Sequence, residues 1–253
     1  MKITALGTGT SQGVPILGCS CKVCLSKNAK DKRLRSSVFI EYKGKGILID
    51  IGPDFRQQFL TNNLHTVDAI LLTHEHNDHI IGLDEIRAIN FTQKKSIPFY
   101  ARSSVAAQIK SRFPYAFPEN PFPGMPRLDL HIIDESSFQI DDIKIHPIKV
   151  MHGNLSILGF RINNFAYITD ANHIPESELD KLKDLDVLII NALQIREHYS
   201  HFNLEQSLEE IKKINPKKAF LTHISHNLGL AEEIEAQFPV NVRLLHDRME
   251  IIL

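Results

Sequence analysis

Short apolar runs rich in β-branched residues recur along the chain, and at least five of them stop at a side chain able to bind a metal ion. Residues 46–49 run into Asp50, 69–73 into His74, 144–151 into His152, 165–169 into Asp170 and 219–222 into His223. Runs of this length and make-up predict central strands, with the residues past their ends collecting on loops at one edge of a sheet. Between the strands the apolar period lengthens to that of a helix. In 203–214, Leu204, Leu208 and Ile211 share a face while Glu209, Glu210, Lys212 and Lys213 point outward, and Asn203 with Gln206 has the spacing of a capping box. A second helix is expected from near Leu83, with Asp84 and Glu85 in a first turn where the helix dipole favours negative charge. A third opens at Pro175 and Glu176 and ends before a strand at 187–190. Residues 113–126, FPYAFPENPFPGMP, hold too many prolines for helix or central strand and predict an ordered loop, packed over a core edge or walling a site. With no repeat, low-complexity tract or linker, residues 1–253 are expected to form a single α/β domain.

Composition narrows the partners. The 253 residues are 43% hydrophobic and 23% charged, the ordinary globular range. A net charge of -1 and a pI near 6.9 provide no global basic field for nucleic acid or an anionic membrane, so an anionic substrate must be held locally. The opening MKITALGTGT has no basic region followed by a long apolar stretch, and no run approaches the roughly 18 apolar residues that span a bilayer; a cytoplasmic, membrane-free protein is expected. The three cysteines, Cys19, Cys21 and Cys24, are too few and too odd in number for a closed disulfide framework and point to metal or thiol chemistry.

The densest chemistry follows the second strand, where His74-Glu75-His76-Asn77-Asp78-His79 places four potential ligands within six residues. In an extended turn His74 and His76 can face one ion while Asp78 and His79 face another, and imidazole with carboxylate suits zinc, manganese or iron rather than calcium. The plain alternative is that Asp78 caps the next helix. Taken with His152, Asp170 and His223, this series resembles, in order, the ligands of the metallo-β-lactamase superfamily. The resemblance spans nearly the whole chain and implies a four-layer αββα sandwich. It also implies one metal on His74, His76 and His152, a second on Asp78, His79 and His223, and Asp170 bridging them. Asp50, in Leu48-Ile49-Asp50-Ile51-Gly52, is similar to the family's aspartate behind the ligands, although a turn-forming aspartate is nearly as good a reading.

Cys19-Ser20-Cys21-Lys22-Val23-Cys24 supplies soft ligands but lacks the fourth that a closed tetrahedral zinc site needs, and His226 is the natural candidate. Together with Gly7-Thr8-Gly9, Ser11-Gln12-Gly13-Val14-Pro15, Gly18 and Thr222-His223-Ile224-Ser225-His226, this stretch resembles the phosphonate-pathway phosphodiesterases that act on phosphoribosyl 1,2-cyclic phosphate. That likeness implies a structural zinc on Cys19, Cys21, Cys24 and His226 and a small, cyclic phosphodiester as substrate. It implies two active-site ions, zinc or manganese, that acidify a shared water into a hydroxide nucleophile. Asp78 and His201 are then the residues expected to carry catalysis. His201, in Ser200-His201-Phe202-Asn203, is similar to the histidine such phosphodiesterases set opposite the metals, as general acid or as phosphate clamp beside a helix start.

The glycine-rich opening is no P-loop, since no Gly-Lys-Ser/Thr follows. His65, His131, His146, His173, His198 and His246 are assigned no role. His246-Asp247-Arg248-Met249-Glu250 is similar to the subfamily's Asp-Gly-Met-Glu turn except that Arg248 replaces glycine, which puts an inherited role for Asp247 in doubt. Lys212, Lys213, Lys217 and Lys218 read as a solvated face rather than an RNA patch. A ribonuclease Z-like endonuclease is the main enzymatic rival, disfavoured because only seventeen residues separate His152 from Asp170, where long-arm relatives insert their tRNA grip. A secreted β-lactamase and a two-domain thioesterase fit less well, and a non-catalytic metal-binding scaffold is the rival outside enzymes. Nucleic acid stays open as a partner but is not favoured; a homodimer is compatible with the sequence.

Overall fold

A computed structural model describes residues 1–118 and 124–253. By its internal contacts the chain forms two compact units that interleave in sequence: Met1–Leu6, Ser37–Asp134 and Glu250–Leu253 in one, Gly7–Ser36 and Glu135–Met249 in the other. Each unit is built on one seven-stranded sheet.

The sheet of the first unit contains β1 (Lys2–Gly7), β2 (Ser37–Tyr42), β3 (Lys45–Ile49), β4 (Ala69–Leu71), β5 (Ile97–Ala101) and β6 (Leu128–Ile132) in that spatial order, with Glu250–Ile252 antiparallel at the outer edge of β1. β2 and β3 form an antiparallel pair and β3 to β6 run parallel. Ile47, Leu48, Ile49, Ile70 and Leu71 are wholly buried, which is why this stretch reads as an unbroken apolar run rather than an alternation. Phe55, Phe59, Leu83, Ile86, Val105 and Ile109 pack on the sheet from the helices and turns that follow the strands.

The helix expected near Leu83 begins later and differently. Ile81–Glu85 is a 3-10 turn, and the α-helix is Ile86–Gln93. The cause is a clamp on the strand exit: the Ile51 N–H donates to His79 O at 2.7 Å and the Gly82 N–H donates to Ile51 O at 3.0 Å. Those bonds hold the turn against the backbone after β3, leaving regular helix to start only beyond it. Of the proline-rich loop, Pro114–Ala116 is a 3-10 turn flanked by buried Phe113 and Ala116, and Tyr115 Oη donates to Asp84 at 2.8 Å. Residues 119–123 of that loop lie outside the described residues.

The second sheet runs β7 (Phe138–Ile140), β8 (Ile143–His152), β9 (Leu155–Ile162), β10 (Phe165–Ile168), β11 (Val187–Asn191), β12 (Lys218–Thr222) and β13 (Val242–Leu244) across its width. β7 to β10 are antiparallel and β10 to β13 parallel. The helix Leu204–Ile214 has the expected capping box, with Asn203 Oδ1 accepting from Gln206 N at 2.9 Å and Gln206 Oε1 accepting from Asn203 N at 3.0 Å. The third expected helix is instead a 3-10 stretch, Glu176–Leu182. Leu179 and Leu182 within it and Leu185 just past it recur every three positions, the repeat of a 3-10 turn and not of an α-helix, and all three pack on the core.

Gly82 tests the clamp on β3. A Cβ there would stand 2.1 Å from the Gly52 carbonyl oxygen, a backbone atom with nowhere to go. Gly82→Ala should therefore lower stability by roughly 1–3 kcal/mol or more. Thermal melts should show a larger loss than Gly44→Ala, where a Cβ meets nothing within 4 Å and only a positive φ is strained. Equal melting shifts would remove the close approach from the explanation.

Candidate metal centres

In the first unit the chain leaves β3 at Asp50, which turns into the left-handed region with φ 63° and is fully buried. Its Oδ1 accepts the Thr73 N–H at 2.9 Å, and its Oδ2 accepts the Thr73 hydroxyl at 2.8 Å and lies 2.7 Å from His79 Nδ1. Burial pushes this carboxyl up from the usual range, and the His79 and Thr73 contacts oppose the rise. A proton on His79 Nδ1 serves that contact and turns the Nε2 lone pair outward. The same logic holds for His74: Thr73 Oγ1 spends its proton on Asp50, so it accepts from His74 Nδ1–H at 2.9 Å and leaves Nε2 as the lone pair.

Those lone pairs are crowded together. His74 Nε2 lies 3.0 Å from His76 Nδ1, and His79 Nε2 lies 3.1 Å from Asp78 Oδ2. The His74 ring is 4.6 Å from that of His76 and 4.2 Å from that of His79. Acceptor atoms this close repel unless a proton or a cation lies among them, so the donor set suits a metal. Asp78 stands in the first turn of the short helix Asn77–Ile80, whose N-cap position is held by His76 and not by Asp78. Arg112 steadies the loop by donating from Nη1 to Glu75 O and Asn77 Oδ1, each at 2.7 Å.

The second unit repeats the device at three parallel or neighbouring strand ends. His152 ends β8, and its Nδ1 donates to Asp170 O at 2.7 Å and Ser200 O at 2.9 Å, which turns the Nε2 lone pair the other way. Burial holds His152 below the ordinary histidine range, in the neutral form a metal needs. Asp170 and His223 leave β10 and β12 with φ 60° and 54°, and both are buried. Asp170 Oδ2 accepts the Thr169 hydroxyl at 2.6 Å and lies 3.1 Å from His223 Nδ1, and its Oδ1 lies 3.2 Å from His201 Nε2. The His201 ring stacks on that of His223 at 5.1 Å and meets that of His152 edge-on at 4.6 Å.

His201 thus lies inside this cluster, with His152 and Asp170. The helix start beside it is another matter. The Leu204 N–H donates to Gln194 O, Gln206 N–H to the Asn203 side chain and Ser207 N–H to Asn203 O, so these amides are committed and do not cradle an anion. The imidazole itself is the group that faces Asp170. His198, assigned no role from the sequence, also needs correction: its Nδ1 is 3.1 Å from His201 Nδ1, and burial with His201 and His152 nearby lowers its pKa.

Cys19, Cys21, Cys24 and His226 converge in the same unit. His226 Nδ1 lies 3.3, 3.3 and 3.6 Å from the three sulfurs, and the four donor atoms are all within 4.8 Å of one another. Zinc with Zn–S of about 2.3 Å and Zn–N of about 2.0 Å gives a tetrahedral N···S edge of roughly 3.5 Å, so these donors fit that ion. The backbone lends support. The Cys24 N–H donates to Cys21 Sγ at 3.4 Å and is the main reason that the Cys21 thiol is lowered to about 6. Cys24 Sγ accepts the Ile16 N–H at 3.4 Å, while burial pushes its thiol up to about 11.

Two groups escaped the sequence reading. Thr73 is the hinge between Asp50 and His74, and nothing distinguishes it from a strand threonine except the histidine after it. Asn191 ends β11 and holds the backbone just past Asp170, accepting Ala171 N–H at 2.8 Å and donating to Ala171 O at 2.9 Å. Its signal was available, since it too is a polar residue at the exit of an apolar run.

Residues 45–224 match the family model described as a beta-lactamase superfamily domain. The chain is similar to the octanoyltransferase of Porphyromonas gingivalis, 41% identical over 256 residues that cover 100% of this chain and 52% of that protein. It therefore spans about half the length of that relative. It is similar to the crystal structure of a new diphosphatase from the PhnP family, with a TM-score of 0.93, 37% identity, and coverage of 99% and 96% of the two chains. Zinc-bound PqqB from Methylobacterium extorquens shares the fold, with a TM-score of 0.80 at 18% identity and full coverage of both chains.

The Cys3His geometry predicts one tightly held zinc per chain that survives mild chelation. Cys24→Ser should lower zinc by about one equivalent in elemental analysis and depress the melting temperature, since a structural site contributes folding free energy directly. Unchanged zinc content in that variant would refute a cysteine-ligated ion.

Proposed function

The chain belongs to the beta-lactamase superfamily as a metal-dependent hydrolase, and from that premise we propose that its substrate is a small phosphodiester, cyclic ones foremost. By the family resemblance, His74, His76, Asp78, His79, His152, Asp170 and His223 would hold two divalent cations, zinc or manganese. What supports this is the state of the donors: the buried imidazoles are oriented by Asp50, Thr73 and backbone carbonyls so that a lone pair is left for an ion. When bound, such a pair supplies Lewis acidity, which acidifies a water and draws charge from a phosphoryl oxygen.

The observation that carries the phosphodiester reading is His201. Its Nε2 lies 3.2 Å from Asp170 Oδ1, among the rings of His152 and His223. An alkoxide leaving from phosphorus needs a proton, and a histidine so placed can give one from Nε2. The buried Thr169 hydroxyl keeps the Asp170 carboxylate oriented while this happens. Substrate is held locally, consistent with the near-neutral net charge.

A second reading has its own support. The PhnP-family structure that this chain resembles at 37% identity is called a diphosphatase, so a phosphoanhydride is a rival scissile bond. Its leaving phosphate is a weaker base than an alkoxide and asks less of His201. The octanoyltransferase named above is twice as long, and its activity gains no support from the chemistry of this half. Among the described residues no helix is long and apolar enough to cross a membrane.

A panel of phosphoribosyl cyclic phosphate, 2′,3′-cyclic nucleotides, bis-p-nitrophenyl phosphate, a diphosphate diester and pre-tRNA separates the readings. Small cyclic diesters should give the highest kcat/KM, with turnover lost on chelation and regained with zinc or manganese. Asp78→Ala should cost on the order of 10³-fold, and His201→Ala about 10²-fold or more on alkoxide-leaving substrates. Preference for pre-tRNA would favour an RNA endonuclease, and no turnover of any phosphate ester would favour a scaffold.

A further inference from the structure

His198 sits on the loop between β11 and the helix Leu204–Ile214, three residues before His201. The two Nδ1 atoms are 3.1 Å apart, with ring centroids at 4.9 Å and planes at 58°. Because His198 Nδ1 also accepts the Ser200 N–H, the proton of this hydrogen bond belongs on His201 Nδ1. Ser200 closes the group, its hydroxyl 3.1 Å from His201 Nδ1 and 3.4 Å from His198 Nδ1, and its N–H donating to His198 Nδ1 at 3.4 Å.

The far side of His198 is built as well. The Tyr199 ring lies tilted against it at 4.8 Å and also covers Gly153, where a Cβ would come 3.7 Å from the tyrosine ring. Asn172 Nδ2 donates to Tyr199 O at 3.1 Å, and His152 Nδ1 donates to Ser200 O at 2.9 Å. The middle of the segment 198–201, at Tyr199 and Ser200, is therefore anchored to Asn172 and His152. A histidine held at one nitrogen can swing about its ring axis, because the terminal torsion is broad. One held at both nitrogens cannot.

We propose that His198 is a positioning residue for His201, fixing its ring through the Nδ1 contact so that Nε2 stays aimed at the edge of Asp170 where substrate reacts. This rests on the phosphodiesterase reading above and adds to it a residue that acts through its bonds to His201 and Ser200. Misplacing an acid by an ångström costs most when the leaving group needs its proton.

The test compares a 2′,3′-cyclic nucleotide, whose leaving oxygen is an alkoxide, with bis-p-nitrophenyl phosphate, whose leaving nitrophenolate needs little help. His198→Ala should lower kcat on the cyclic nucleotide by about tenfold or more with KM nearly unchanged, and on the nitrophenyl diester by less than about threefold. His198→Asn, which keeps a hydrogen-bonding group near the same place, should recover most of the loss. The double variant with His201→Ala should be no slower than His201→Ala alone, because the two act as one unit. Equal losses on both substrates, no rescue by asparagine, or additive losses would each overturn the proposal, as would loss of bound metal from His198→Ala. Failure of the wild-type protein to hydrolyse either diester with added metal would instead overturn the phosphodiesterase reading, a result distinct from these.

Discussion

The chemistry of this protein depends on how its strands end. Asp50, Asp170 and His223 each follow a buried strand and each turn into left-handed backbone, with φ of 63°, 60° and 54°. Residues other than glycine adopt that conformation uncommonly, and aspartate, asparagine and histidine tolerate it best. The turn reverses the chain at once, so a functional side chain is displayed at the edge of a sheet whose interior is closed. The strand behind it cannot slip without exposing Ile47 to Ile49, Phe165 to Ile168 or Ala219 to Leu221, nearly all of which are fully buried. Strain at the turn is thereby sustained by apolar packing along the strand.

Orientation of the imidazoles follows from the same geometry. A turn that brings Asp50 beside Thr73 gives the carboxylate three hydrogen bonds from two residues, one directly from His79 and one leading through the Thr73 hydroxyl to His74. In the other unit backbone carbonyls do that work for His152, one of them belonging to Asp170 itself. Carboxylate and carbonyl partners differ in consequence. A buried carboxylate adds charge that offsets that of a cation, whereas a carbonyl fixes the tautomer and leaves the ring neutral.

Those strand exits were legible from sequence because a central strand is apolar on both faces, and an ionisable residue at its end is conspicuous. The Cys3His set was legible in part, Cys19, Cys21 and Cys24 by spacing and His226 by its place after His223. Thr73 and His198 were not singled out, since each acts through a hydrogen bond to a residue whose position only the fold decides, whereas Asn191 carried the same strand-exit signal as the ligands. Helix type failed for a related reason. The sequence from Pro175 shows turn-forming and apolar residues, but the choice between 3.0 and 3.6 residues per turn rests on the Leu179, Leu182 and Leu185 spacing meeting a core at Leu188 and Ile190. Near Leu83, two backbone bonds to Ile51 and His79 decide the outcome, and backbone bonds leave no mark on residue type.

The turn at Asp247 is fixed by hydrogen bonds although Arg248 departs from the pattern that the turn resembles. Asp247 accepts the Thr8 hydroxyl and the Leu34 N–H, each at 2.7 Å, and buried Arg33 donates to Thr8 at 2.7 Å and to Leu245 O at 2.5 Å. Burial lowers the Arg33 pKa to about 10 and raises Asp247 to about 6, the shifts expected when two opposite charges are taken out of water together. Thr8 passes the constraint on, since its carbonyl accepts the Ile224 N–H at 2.9 Å while Thr10 Oγ1 lies 3.3 Å from His223 Nε2. Asp247 thus buttresses His223 from behind and has no need to meet substrate. Arg248, where the Asp-Gly-Met-Glu turn that this stretch resembles has glycine, adopts φ 69°. The conformation that glycine would take is preserved and the arginine bears a cost on the order of 1 kcal/mol, so the substitution taxes stability and leaves the buttress in place.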